Sequence, residues 1–124
     1  MKFAIVGLLL IHGLIHAMGF AGAWNLAEFQ GASRAPTNLV SLEPGGGTVK
    51  ALGLIWLAAL AAFLLAAALL MGDSVMWRSV ALGAAALSMV PVALWWRDAP
   101  MGAVANGLVV AAVLLAPRLE GVAS

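Results

Sequence analysis

The sequence predicts an all-α protein, a membrane-spanning four-helix bundle with both termini on the same side of the membrane. The first observation is composition: 65% of the 124 residues are hydrophobic and 9% are charged, whereas a soluble domain needs roughly 25% charged residues to cover its surface. The second is the presence of four long apolar runs, because a helix of about 20 residues crosses the hydrocarbon core of a bilayer. The third is that a polar residue or a tryptophan recurs at a similar depth in each run.

The four runs form a single transmembrane domain that covers residues 1–124. The predicted spans are residues 3–24, 49–71, 75–96 and 100–116. Gly72-Asp73-Ser74 predicts a short turn between the second and third spans. Pro100 fits the first turn of the fourth helix, where its missing N–H costs nothing.

The segment between the first two spans, residues 25–48, is the one long loop. Apolar side chains alternate with polar ones along it, which favours a position at the membrane interface. The breaks at Pro36 and Pro44-Gly45 fit a solvated linker equally well. Both interpretations of this loop stay open.

Tryptophans mark the two predicted faces of the bundle. Trp24, Trp95 and Trp96 fall at one face and Trp77 at the other, as in the aromatic belts of membrane proteins. The net charge of +1 gives no basic patch, which excludes nucleic acid as a partner. The sequence contains no cysteine, which excludes disulfides and thiolate metal sites.

Small residues predict how the helices pack, because lipid gives apolar helices no hydrophobic reason to associate. A row at a spacing of four residues occurs in the first helix and another in the fourth: Gly13, Ala17 and Ala21, and Ala103, Gly107 and Ala111. Such rows favour a tight bundle or, equally, a face for a second copy of the chain.

The main candidate site is a layer of polar side chains deep in the predicted bundle. At a rise of 1.5 Å per residue, His16, Trp56, Ser88 and Asn106 all lie about 9–12 Å below the tryptophan-rich face, one from each helix. His12 is one turn deeper on the same face as His16. Because polar groups in hydrocarbon turn to the bundle interior, these five residues predict an interior ligand-binding site.

Several chemistries fit this layer. It could be a network of interhelical hydrogen bonds, each contributing about 0.6–2 kcal/mol. His12 and His16, in a His-x-x-x-His spacing, predict a transition-metal site, but a third and fourth ligand are not evident. Met18 or Met89 could supply a sulfur ligand to copper(I).

A flat cofactor is another possibility, since an apolar pocket with a few polar anchors suits haem or a quinone packed against Trp56. Two axial ligands to one haem cannot come from His12 and His16 on one helix, so within one chain haem would need a single histidine or another second ligand. A homodimer could pair histidines across its interface. Haem, a quinone and a transition metal therefore all stay open as cofactors.

Transport is the competing class of function. A small dimeric transporter or channel could use His16 or His12 as its titrating group. No acidic residue lies in mid-membrane, although acidic or histidine chains are the usual sign of proton coupling. An enzyme with a catalytic metal is a third class.

Three stretches carry a resemblance to a known group: His-Gly-Leu-Ile-His-Ala-Met-Gly-Phe from His12, Leu-Ile-Trp from Leu54, and Trp-Arg-Asp-Ala-Pro-Met-Gly from Trp96. The chain resembles uncharacterised small bacterial four-helix integral membrane proteins with an HGLIHxxGF-type first helix. The resemblance supports the bundle and the choice of residues, and it implies no reaction.

These observations together lead to the expectation of a multi-pass protein in the bacterial inner (cytoplasmic) membrane. We expect it to be a ligand-binding or accessory subunit whose partners are the lipid bilayer and other membrane subunits or a second copy.

Overall fold

The computed structural model describes residues 2–26, 46–96 and 100–123, with side chains described as far as Ala116. Within these ranges the chain forms four helices and no strand. They are α1 (Lys2–Ala23), α2 (Gly47–Met71), α3 (Met76–Leu94) and α4 (Pro100–Ala123). The predicted all-α four-helix fold is therefore confirmed.

The helix ends lie within two residues of the predicted spans, except that α4 continues to Ala123. Residues 27–45, which make up most of the predicted interfacial loop, lie outside the described residues.

Three of the helices, α1, α2 and α3, are long and apolar enough to cross a membrane, and the apolar part of α4, Pro100–Ala116, is shorter. In each of the three candidate spans only 33–39% of the residues are buried inside the bundle. Most of their apolar surface thus points outward, which suits lipid as the surrounding solvent. The placement of both termini on one side of the membrane stays a prediction.

Consecutive helices pack side by side and run in alternating directions. Lys2 at the start of α1 forms an ion pair of 2.6 Å with Asp73 in the turn after α2. At the other end of this helix pair, Trp24 Nε1 donates to the backbone oxygen of Lys50 at 2.8 Å. Contacts are extensive between α1 and α2 and between α2 and α3, smaller between α3 and α4, and smallest between α1 and α4.

The apolar core falls into two clusters. The larger one surrounds Phe63 and Leu9 and continues to Trp77 near the α2–α3 turn. The smaller one, around Trp56 and Trp95, lies near the end of α1 and the start of α2. The buried polar side chains occupy the chain positions between these two clusters.

Glycines provide the closest contacts between helices, but only partly through the predicted rows. A Cβ on Gly13 would lie 3.0 Å from the Cβ of Phe63, so this member of the α1 row does pack against α2. Gly107 in the α4 row has open space around it, and Ala111 is exposed. Gly107 and Ala111 thus face outward, whereas Ala103 of the same row packs against the smaller core cluster. The use of this row as a face for a second copy stays a prediction.

The tightest contacts use other glycines. A Cβ on Gly19 would lie 2.4 Å from Cδ2 of Trp56, and one on Gly53 would lie 2.7 Å from the Cβ of Ala23. The Trp56 indole thus lies directly against the backbone of α1. This contact positions Trp56 beside the histidines.

We expect Gly19→Ala to destabilise the bundle, because the added methyl group overlaps the Trp56 ring and overpacking of this kind typically costs about 1–3 kcal/mol. Gly22→Ala is the matched control in the same helix, since a Cβ there meets nothing within 4 Å. Thermal unfolding in mild detergent measures both. Equal melting temperatures for the two variants would contradict the packing of Trp56 on Gly19.

An interior ring of polar side chains

Three of the four helices, α1, α3 and α4, contribute buried polar side chains to the interior of the bundle. His12, His16, Ser88 and Asn106 are all buried, with exposed fractions of 3%, 1%, 0% and 3%. Trp56, with 6% exposed, packs beside them. The structure brings together all five residues that the sequence analysis selected, and their ligand-binding role stays a prediction.

The helical repeat explains why both histidines turn inward. His12 and His16 are four residues apart and share one face of α1, together with the buried Leu9. Of the residues between them, Gly13 packs inward against Phe63, whereas Leu14 and Ile15 face outward and are 57% and 53% exposed. The imidazoles are therefore placed in the interior while the outer face of α1 is apolar.

Hydrogen bonds link the four side chains across three helices. His12 Nε2 lies 2.7 Å from Asn106 Oδ1, and Asn106 Nδ2 lies 3.1 Å from Ser88 Oγ. Ser88 Oγ lies 2.6 Å from His16 Nε2. His16 Nδ1 lies 2.7 Å from the backbone oxygen of His12, which closes the set. We call these four residues the polar ring.

The chemistry of the partners sets the direction of each bond. A carbonyl oxygen only accepts, so His16 Nδ1 carries the hydrogen. A neutral His16, favoured because an isolated charge in hydrocarbon is costly, then accepts at Nε2 from the Ser88 hydroxyl. Ser88 Oγ accepts in turn from Asn106 Nδ2–H, and Asn106 Oδ1 accepts from His12 Nε2–H. One uncharged arrangement therefore satisfies all four interactions.

Aromatic rings enclose the histidines. The centroid of the Phe63 ring lies 4.8 Å from that of His12 and 5.3 Å from that of His16. The Trp56 ring lies 5.3 Å from His16 and 5.6 Å from Trp95, both edge to face. These rings shield the hydrogen bonds, which are stronger in a medium of low dielectric constant.

Sequence reasoning missed Phe63 and the contact that Met89 makes. Phe63 follows Trp56 by seven residues, so the helical repeat could have placed it on the same face of α2. Met89 was named only as a possible sulfur ligand, and its contact could not be predicted, because adjacent residues of a helix point in different directions. Its Sδ accepts from Asn106 Nδ2 at 3.2 Å, while 39% of the residue is exposed.

Trp56 carries a buried hydrogen-bonding group without a partner. Its indole nitrogen Nε1 is buried and has no acceptor among the described residues. None of the hydrogen bonds of the ring involves this N–H.

Metal ligands are few in the described part of the chain. No group of three or more histidine, cysteine, aspartate or glutamate side chains that could hold a metal occurs there. The Nε2 atoms of His12 and His16 both lie in hydrogen bonds of the ring. A metal at the predicted His12–His16 pair would have to replace those bonds and recruit a ligand of another type.

Comparison with known proteins adds no assignment: no family model, no curated protein and no solved structure matches this chain. The resemblance to small bacterial membrane proteins stays an expectation, and the function is argued from the polar ring and Trp56.

We expect Ser88→Ala to destabilise the bundle strongly, because it removes both the donor to His16 and the acceptor of Asn106. A buried polar group left without a partner costs about 1–3 kcal/mol. Ser79→Ala, at an exposed position of the same helix, is the control and should change stability by no more than about 0.5 kcal/mol. Thermal unfolding in detergent compares them, and an equal effect would contradict the ring.

The direction of the hydrogen bonds also predicts different tautomers for the two histidines. His12 should carry its hydrogen on Nε2 and His16 on Nδ1. Nitrogen-15 chemical shifts of labelled histidines distinguish the two forms, with His12→Gln as the variant that assigns the signals. The same tautomer at both positions would show that the hydrogen bonds run differently.

Proposed function

We propose that this protein is a multi-pass protein of the bacterial inner membrane that acts as a small-ligand-binding or accessory subunit. The proposed binding site is the polar ring together with Trp56. Three helices of sufficient length and apolarity support the membrane location. A buried polar site among such helices supports a function beyond anchoring, since polar groups in a bilayer are costly to maintain.

The observation that carries the proposal is the open N–H of Trp56. A buried donor without an acceptor costs about 1–3 kcal/mol, and hydrocarbon supplies no water to pair with it. No described residue accepts from it, so an acceptor atom of a bound molecule would supply the missing hydrogen bond. An oxygen atom of a bound ligand is the partner that this geometry calls for.

The surroundings of Trp56 indicate the type of ligand. Trp95 and His16 both pack edge to face with the indole ring, and the neighbouring side chains form the smaller apolar cluster. A lipophilic molecule with a carbonyl oxygen suits such walls. This favours a quinone-like ligand over haem, because haem iron would have to displace a ring hydrogen bond to reach a histidine nitrogen.

Among the described residues, no acid or base lies beside the ring other than the two histidines, so a binding role is favoured over catalysis.

The accessory part of the proposal concerns the outer surface of the bundle. The outward-facing row of α4, with Gly107 and Ala111, offers a close approach to another helix. The proposed partners are the lipid bilayer and other membrane subunits or a second copy.

The test is to purify the protein in mild detergent, record its absorption spectrum, determine metals, and identify extracted organic molecules by mass spectrometry. We expect a carbonyl-bearing lipophile in stoichiometric amount. Trp56→Phe should lose it, because the donor disappears while the ring shape is largely kept. The double variant His12→Ala/His16→Ala should lose the ligand as well, because it removes the imidazole ring that packs against Trp56 and the polar groups beside it.

Trp96→Phe is the matched control, since Trp96 is 46% exposed and lies outside the site. The ligand should stay bound in this variant. A protein that carries no organic molecule, or a Trp56→Phe variant that retains it, would refute the proposed site.

The alternative is a small dimeric transporter or channel that uses His16 or His12 as the titrating group. It is supported by the continuous hydrogen-bonded path between the two imidazoles through Ser88 and Asn106, because histidine chains are typical of proton relays. In this case proteoliposomes should show a proton flux that His16→Ala abolishes. Impermeable proteoliposomes would eliminate the alternative.

A further inference from the structure

The side chain of Asn106 lies at the centre of a set of soft donor atoms. Its amide contacts His12 Nε2 at 2.7 Å and Met89 Sδ at 3.2 Å. Asn106 Nδ2 also lies 3.1 Å from Ser88 Oγ, and Ser88 Oγ lies 2.6 Å from His16 Nε2. Two imidazole nitrogens and one thioether sulfur thus surround one amide and one hydroxyl group.

His16 is already oriented as a metal ligand. Its Nδ1–H is held by the backbone oxygen of His12, so Nε2 directs its lone pair towards Ser88. A histidine that binds a metal almost always donates its other N–H to a carbonyl or carboxylate in this way. His12 becomes equivalent when its hydrogen moves from Nε2 to Nδ1, a change of tautomer that releases no proton.

We propose that His12, His16 and Met89 form a copper(I) site in which the ion takes the place of the Asn106 amide. Binding forms two Cu–N bonds and one Cu–S bond, breaks the hydrogen bonds of Asn106 and Ser88 to these atoms, and changes no oxidation state. The copper(I) site shares His12 and His16 with the proposed organic-ligand site but does not use the Trp56 N–H, so it goes beyond that proposal and can be tested separately.

The donor set selects the metal. Thioether and imidazole ligands suit copper(I), whereas carboxylate and carbonyl oxygens suit magnesium and calcium. All three proposed ligands are neutral, so the occupied site has the same net charge as the ion that it holds. A charge of one is less costly to bury in hydrocarbon than a charge of two, which also favours copper(I) over divalent ions.

The first experiment is a competition titration of the detergent-solubilised protein against a chromophoric copper(I) chelator, under anaerobic reducing conditions. We expect one ion per chain for the unaltered protein. Met89→Leu should bind at least roughly tenfold more weakly, because even a partner of a metal ligand is worth 10–100-fold in affinity. Met18→Leu is the control, since Met18 is 45% exposed on α1 and should leave the affinity unchanged.

A second variant and a spectroscopic measurement guard against loss of folding. Asn106→Ala should melt at a lower temperature yet bind copper(I) at least as tightly, because the group that occupies the centre is gone. X-ray absorption should find two nitrogen neighbours and one sulfur neighbour of copper, with the sulfur missing in Met89→Leu. Trp56→Phe should bind copper(I) normally, which separates this site from the proposed organic ligand.

The site would be refuted by the absence of copper(I) binding, or by a copper spectrum without sulfur in the unaltered protein. Equal losses of affinity in Met89→Leu and Met18→Leu would show adventitious binding to exposed methionines. Loss of binding in a folded Asn106→Ala variant would place the ion elsewhere.

Discussion

A backbone oxygen of α1 determines the direction of every hydrogen bond in the polar ring. The carbonyl of His12 can only accept, so it fixes the hydrogen of His16 on Nδ1 and makes Nε2 an acceptor. Ser88 and Asn106 then have one possible orientation each, and His12 has one tautomer. A single contact within one helix thus dictates how three helices meet, without any charge in the membrane interior.

This directional ring adds register to a bundle whose core contains many alanines besides Leu9, Phe63 and Trp77. Small residues let the helices approach closely. Hydrogen bonds of about 0.6–2 kcal/mol add little to total stability, but each one is lost if a helix shifts. The main structural effect of the ring is therefore to fix the positions of the helices relative to one another. The close fit of Trp56 on Gly19 also opposes a shift of α2 along α1.

Counting along the sequence located the helices and the depth of the polar layer, because helix rise is constant and membrane spans have a fixed length. It could not give helix rotation or crossing geometry, which decide that Gly19 rather than Gly107 lies in an interface. Nor could it show that the sulfur of Met89, named only as a possible copper ligand, accepts from Asn106. The depth of a residue follows from its position within one helix, whereas its side-chain contacts depend on the arrangement of all four helices.

The limited contact between α1 and α4 has a consequence for how the protein is made. A chain synthesised from its N-terminus inserts α1, α2 and α3 before Asn106 exists in the membrane. Until α4 arrives, His12 lacks its acceptor and Ser88 lacks a donor. An error of one residue in the placement of α4 turns Asn106 by about 100° away from them, so the ring closes only when α4 is inserted in the correct register.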